Sequence, residues 1–322
     1  MIPAAISAML LQLLHVALAL AAAPLLVGST RFAKSRLQGR RGPSPIQPYR
    51  DLLRLLCKET VLAHDASWIF RVTPYLVFSI MTVAAAMVPM FVLDLPLARA
   101  GDLIVIVALI ATARFFQSLA GLDIGTAFGG IGASREALIG SLSEPAVLMV
   151  AFALALIAGT TALPAIARFV LSGGVGVEVS LALALIALLI VAIAENGRVP
   201  VDNPATHLEL TMVHEAMVLE YSGRNLALIE AAQMLKLLVY VSLVSTLFAP
   251  WGVASAEDGL DFLEVLTGIA IFGLHLLVAA ILIAVVELAI AKMRVFRVVE
   301  FLGAAFILAV LAVVFRFVTE AS

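Results

Sequence analysis

The stretch VSLALALIALLIVAIAENGRVPVDNPATHLELTMVHEAMVLEYSG, residues 179–223, joins two segments that want opposite surroundings. From Val179 to Ala194 no charge interrupts it, and a helix of that composition is at home in hydrocarbon. Directly after it come Glu195, Arg198, Asp202, His207, Glu209, His214, Glu215 and Glu220. Such a junction marks a membrane-embedded helical chain with its chemistry gathered at one face of the bilayer.

The rest of the sequence agrees. Hydrophobic residues make up 63% of the chain, charged residues only 13%, and the mean hydropathy is +1.13, far from the usual soluble range. A hydrocarbon core takes roughly 20 apolar residues per helix. Runs of that length fall near 3–27, 72–93, 102–121, 144–163, 179–195, 230–249, 265–287 and 299–318. They are rich in Ala, Leu and Val and lack strand-like alternation, so the expected fold is an all-α integral membrane protein, with about eight spans rather than a β-barrel. No repeat of fixed period and no low-complexity linker divides the chain, and residues 1–322 read as a single membrane domain.

Charge sets the expected orientation. The first span has no Lys or Arg before it but is followed by Arg31, Lys34, Arg36, Arg40 and Arg41, the reverse of a cleaved signal peptide. One set of loops holds these together with Lys58, Arg135, Arg198, Arg224, Lys292, Arg294 and Arg297; the other holds mainly Arg99 and Arg168 beside an excess of carboxylates. The positive-inside rule then puts both termini outside and makes segments 29–70, 122–143, 196–228 and 288–298 cytoplasmic. The one cysteine, Cys57, permits no internal disulfide and no cysteine-ligated cluster.

Three cytoplasmic segments carry most of the information. In RLQGRRGPSPIQPYRDLLRLLCKE, Pro43, Pro45 and Pro48 forbid helix before a periodic basic run begins at Arg50. An interfacial anchor explains the charge; a fixed docking surface explains the prolines as well. GGIGASREALIGSLSEP offers three glycines, then a helix-forming run, before Glu144 and Pro145 open the fourth span. In the insert, Asn203 is a good N-cap and Pro204 a good first helical residue, with Gly223 placed to stop the helix, so a short helix is expected over Ala205–Tyr221. Its Glu209 and Glu220 fall on nearly one face, as do His207 and His214, while Glu215 points elsewhere. Carboxylates all round a helix imply polar protein around it.

Ionisable residues at membrane depth are costly and are by default functional candidates. Arg114 lies within span three, Glu144 opens span four, Glu195 closes span five, Glu230 and Lys236 lie in span six, and Glu287 closes span seven. With Asp202, Glu209, Glu215 and Glu220 they form a candidate proton or ion path, because carboxylates grouped with cations in low dielectric have mutually shifted proton affinities. The alternative is that they snorkel to headgroups or glue helices together. His15 and His275 fall mid-helix as conceivable haem ligands with no visible pairing, and the spacing of His207 and His214 is not that of a zinc protease. No phosphate-binding glycine loop of the nucleotide-pump kind is present, and nothing points to nucleic acid.

The first-loop sequence quoted above, Gly132–Arg135 leading to Ser143–Glu144, and AENGRVPVDNP with ELTMVHEAMVLEYSG resemble the subunit 1 family of respiratory complex I over nearly the whole chain. Thr206-His207-Leu208, where the quinone-reducing branch has acidic and serine positions, is similar to the membrane subunit of group 4 [NiFe] hydrogenases of the formate hydrogenlyase type. Gly197, usually Ser or Thr, and Asn203, often Asp, depart from the pattern. The resemblance implies a chain without catalysis or cofactor of its own, in a bacterial or archaeal inner membrane. It would be a foot for hydrogenase large and small subunits and a ferredoxin-like iron–sulfur subunit that hold the [NiFe] centre and clusters, coupling electron transport to proton or Na+ movement through antiporter-like neighbours. Arg40, Arg41, Gly42, Pro43, Asp51, Arg135, Arg198, His207 and His214 would then belong to docking, and the acidic set with Arg114 and Lys236 to coupling. A quinone-site subunit of an NADH:quinone oxidoreductase is the alternative, and a purely structural anchor a third.

Overall fold

A computed structural model describes residues 4–63, 66–172, 178–202, 212–254, 262–290 and 297–321. These form α1 (Ala4–Leu37), α2 (Gln47–Leu56), α3 (Trp68–Met87), α4 (Leu103–Asp123), α5 (Ala127–Ala158), α6 (Leu163–Leu171), α7 (Val179–Glu195), α8 (His214–Val218), α9 (Gly223–Phe248), α10 (Phe262–Ala289) and α11 (Val298–Ala321). Seven of the helices are long and apolar enough to cross a membrane, and α7, of 17 residues, is a shorter apolar one. The eight expected spans are therefore all present as helices.

The helices pack in a chain of neighbours. α10 lies on α1, α1 on α9, α9 on α3, α3 on α4 and α4 on α5; α11 packs against both α5 and α7, and α7 also touches α9. The core is lined with Ala, Leu, Val and Met, including Phe70, Met81, Ile106, Leu154 and Leu188 at 2% exposure or less. Small residues let backbones approach where side-chain packing must replace the hydrophobic drive that lipid cannot supply. A Cβ on Gly129 would collide with the Gly121 carbonyl, and one on Gly132 would lie 2.8 Å from the Val213 carbonyl.

Those glycines correct one expectation. Residues 127–143 do not form a loop before the fourth span, because α5 runs unbroken from Ala127 through Pro145 to Ala158. Glu144 lies in the middle of that helix. The GGIG segment is expected from sequence to precede the span as tight backbone, but here it is helical, with Gly129 against α4 and Gly132 against the segment around α8.

The insert differs too. Residues 203–211, with Asn203, His207 and Glu209, lie outside the described residues. Of the expected helix Ala205–Tyr221 the described part is α8 alone, with Met212 and Val213 outside it, and Gly223 (φ 53°) opens α9 instead of closing a helix. Gly223 is held close: a Cβ there would lie 2.5 Å from the Glu59 carbonyl. The segment before α3 thus runs across the end of α9. Ser222 Oγ both accepts from Val61 N–H (2.8 Å) and donates to Val61 C=O (2.9 Å), and Tyr221 stacks on Phe70 at 3.8 Å. The proline segment behaves similarly, since Pro45 occupies the space a Gly28 side chain would need on α1.

At the opposite end α3 stops at Met87, short of the expected 93, because Pro89 has no N–H to continue it. Residues 88–93 nevertheless stay buried, with Val88, Val92 and Leu93 at 0% exposure. Irregular backbone at membrane depth is stable only where protein supplies its partners. Gln12 Nε2 on α1 donates to Ala86 C=O (3.1 Å) and its Oε1 accepts from Leu97 N–H (3.1 Å), His15 Nε2 lies 3.3 Å from Ala85 C=O, and Thr246 donates to Pro89 C=O (2.7 Å). Ala254 completes the set, accepting from Leu93 N–H and donating to Phe91 C=O.

Gln12→Leu leaves the buried Ala86 C=O without its side-chain donor and Leu97 N–H without its acceptor, and is expected to cost about 1–3 kcal/mol. The thermal midpoint of the detergent-solubilised chain should fall, whereas Leu13→Ala, at a 64% exposed neighbour, should leave it near the wild-type value.

Candidate functional site

At the end of the bundle where α1, α4 and α7 finish and α9 begins, four helices deliver charges to one point. Arg114 comes from the middle of α4, Ser143 and Glu144 from α5, Glu195 is the last residue of α7, and Lys236 lies fourteen places into α9. The Glu195 carboxylate is 3% exposed. One oxygen is held by Arg114 Nη1 and the Ser143 hydroxyl; the other lies 2.8 Å from Lys236 Nζ. Arg114, itself 7% exposed, uses its second terminal nitrogen to hold Glu144. Removing one partner from such a buried set strands the others and typically costs about 3–5 kcal/mol.

A second ion cluster stands nearby. Glu287, at the end of α10 and 7% exposed, is held by Lys34 Nζ at 2.6 Å and Arg198 Nη1 at 3.0 Å. It ties α1 and α10 to the turn after α7. That turn needs Gly197, whose φ of 54° is left-handed. Buried Asp202 then accepts from Val213 N–H (3.2 Å), while Arg135 Nη1 on α5 donates to Met212 C=O (2.8 Å). Both ends of the charged insert are thereby fixed.

Between the clusters lies a cavity of about 380 Å³. Arg114, Glu195, Arg198, Asp202, His214, Glu215, Glu230, Lys236 and Glu287 all line it, so most of the candidate coupling residues, though few of the docking ones, converge on one space. Apolar side chains such as Val77, Met81, Ile110 and Leu237 complete its wall. Six polar lining residues lie outside the candidate sets: Arg31 and Lys34, which the sequence marks only as loop charges, and Gln117, Glu136, Asn196 and Gln233. Glu136 is passed over in sequence because its helix-forming run is expected in a cytoplasmic segment ahead of the fourth span. Its place on α5 one helical turn before Gly140 would have revealed it, had the glycines been read as contacts. Glu144 is not in this cavity but beyond Arg114, with a side chain 43% exposed. Glu220 is exposed and does not line it. The docking candidates Arg40, Arg41 and Pro43 are exposed beyond α1, Gly42 packs on Ser35, and Asp51 on α2 accepts from Gln47 (2.9 Å). Glu209 and His207 lie outside the described residues. Among the described residues no group of three or more His, Cys, Asp or Glu is placed to hold a metal ion.

A family model described as NADH dehydrogenase matches residues 9–318. Formate hydrogenlyase subunit 4 of Escherichia coli K12 is 39% identical over 232 residues, covering 72% of this chain and 75% of that protein. Hydrogenase-4 component C of the same organism is 36% identical over 292 residues, 91% of this chain and 90% of that one. An NADH-quinone oxidoreductase subunit of Syntrophotalea carbinolica is 30% identical over 256 residues, 74% and 76% of the two chains. A chain of the membrane-bound sulfane sulfur reductase, an archaeal respiratory membrane complex, superposes with a TM-score of 0.80 over 96% of this chain and 99% of its own length, at 20% identity. At that identity the likeness is one of fold.

His214 supplies a pH test of the site. Gln117 Nε2 stands 2.8 Å from its Nδ1, and an amide nitrogen donates only, so Nδ1 accepts and the ring is neutral. Burial, and next the Lys236 charge, bring its pKa from 6.5 down to about 3; the surface it keeps faces the cavity. The unfolded segment takes up a proton at higher pH than the folded one. Stability from neutral His214 is therefore complete above about pH 6.5 and is lost as pH falls toward about 3. Hydrogen exchange over residues 212–222, corrected for intrinsic rates, should show more frequent opening at about pH 5 than at about pH 7. His214→Gln should abolish that difference.

Proposed function

This chain belongs to the NADH dehydrogenase family, and from that premise we propose that it is the membrane anchor and energy-coupling subunit of a membrane-bound [NiFe] hydrogenase complex. It links electron transfer in a peripheral arm to translocation of protons or Na+. Both hydrogenase-type relatives match it at higher identity than the quinone oxidoreductase subunits do, and one is matched over 90% of its own length. The observation that carries the proposal is the Glu195 cluster facing a cavity lined by both carboxylates and cations. Such a cavity can take up and release protons in response to a neighbouring redox event.

On this reading the charged end faces the cytoplasm, with both termini outside, in the bacterial or archaeal inner membrane. Residues 1–322 act as one membrane domain. The peripheral arm seats on Arg40, Arg41, Gly42, Pro43 and Asp51, with Arg135, Arg198, His207 and His214 at the insert. Large and small hydrogenase subunits and a ferredoxin-like subunit carry the [NiFe] centre and iron–sulfur clusters, and antiporter-like subunits adjoin in the membrane. Glu144, Glu195, Asp202, Glu209, Glu215, Glu220, Glu230, Lys236, Glu287 and Arg114 make up the coupling set. A quinone-site subunit of an NADH:quinone oxidoreductase is the second reading, favoured by the apolar part of the cavity wall and by the NADH-quinone oxidoreductase relatives.

Affinity purification of the tagged chain from native membranes distinguishes them: a nickel-ligating large subunit should accompany it, and a NADH-oxidising module with bound quinone would overturn the assignment. In the assembled complex, Glu195→Gln should lower ion movement per hydrogen formed by roughly tenfold or more. Unchanged ion movement in assembled Glu195→Gln complex would remove the coupling role.

A further inference from the structure

The 380 Å³ cavity does not reach Glu144. A second, much smaller cavity of about 10 Å³ does, bounded also by Ser143 and Tyr240, and it is of the order of one water. The two cavities share only Ile110, Arg114 and Glu195 in their linings. Arg114 therefore stands in the wall between the charged inner cavity and a carboxylate whose side chain is 43% exposed on the flank of α5, near the outward-facing Leu148 and Phe152.

The guanidinium lies flat against α5 because residue 140 is glycine. A Cβ there would lie 2.6 Å from Arg114 Cζ, 2.7 Å from Nε and 2.9 Å from Nη2. Gly140 is helical, with no positive φ to require glycine, and glycine inside a helix costs about 1 kcal/mol relative to alanine. Its use is the slot. Ser143 and Glu144, three and four residues on, lie on the same face of α5 and are the residues that the seated guanidinium reaches.

We propose that Arg114, seated in the Gly140 slot, is the gate of a lateral ion path from the inner cavity to Glu144, and that Gly140 is its positioning residue. The proposal rests on the coupling role of Glu195 argued above. A guanidinium stays protonated and accepts no proton, so Arg114 can hold the Glu144 and Glu195 carboxylates but cannot relay a proton between them. A cation fixed in the shared wall also repels hydronium or Na+. The structure shows the closed state, and opening requires the guanidinium to leave the slot.

Alanine at 140 meets the far end of a flexible side chain instead of backbone, so Gly140→Ala should displace Arg114 while the complex still assembles. Membrane vesicles carrying the complex are assayed for hydrogen formation and for ions moved per hydrogen. Gly140→Ala and Arg114→Lys should each lower the ion-to-hydrogen ratio severalfold with hydrogen formation maintained and no longer stimulated by an uncoupler. The double variant should match Arg114→Lys alone, since lysine has no planar fork for the slot to seat. Gly130→Ala, where a Cβ meets nothing within 4 Å, should change neither quantity. A purely structural Gly140 would lower assembly, or both rates in proportion, with the ratio unchanged; either result in Gly140→Ala overturns the gate. If Glu195→Gln still lowers the ratio in that case, the coupling role stands without the gate; if it too leaves the ratio intact, the coupling role itself fails.

Discussion

Glu195 ends an apolar helix as a carboxylate shut off from solvent, and the charged end of the bundle is built around keeping that anion compensated. Four helices must close on it, because Arg114, Ser143 and Lys236 come from three helices other than α7. Small residues make the approach close enough: Gly121, Gly129, Gly132 and Gly140 remove side chains where α4, α5 and the segment around α8 cross. A dry site would favour neutral side chains in place of this ion cluster, which is seldom a gain in stability alone. Its position beside a cavity shared by nine charged or titratable residues singled out from the sequence fits a role in exchange with a partner better than one in holding helices together.

The sequence made the spans legible because hydrocarbon demands long apolar runs, and it made the charged set legible because ionisable groups are rare in such runs. It also placed Glu195 and Glu287 at helix ends. What it hid follows from local rules overridden by packing. By sequence GGIGASREALIGSLSEP belongs to a loop, yet Gly129, Gly132 and Gly140 are points of close contact, and with the loop went Glu136 and the slot at Gly140. The Asn203-Pro204 start and Gly223 stop suggested a short helix over Ala205–Tyr221, but Gly223 serves the close passage of residues 58–61 and begins α9. The early end of α3 was masked because residues 88–93 are as apolar as the helix before them.

The two ends of the bundle solve the same problem differently. Irregular backbone after α3 is satisfied with neutral groups, Gln12, His15 and Thr246, each bonded to a backbone carbonyl. Charge described there includes pairs such as Arg168 with Asp94 and Arg316 with Glu178, and Asp102, which accepts from the Thr161 hydroxyl and Ile104 N–H. At the Glu195 end, ions and an open cavity replace that dense neutral packing. Conformational or protonation changes therefore have room at one end and a rigid base at the other.

The neutral end carries a consequence for how the chain is made. Pro89 and Phe91 find their partners in Thr246 and Ala254, with Thr246 lying 157 residues further along than Pro89. A ribosome delivers α3 to the bilayer long before those partners exist. Until α9 has been synthesised and inserted, residues 88–93 must stay in the insertion machinery, at the headgroups or on another protein that shields their carbonyls. Assembly of this chain is thus ordered by its own backbone: the third helix can be threaded early, but its end settles only when the ninth arrives.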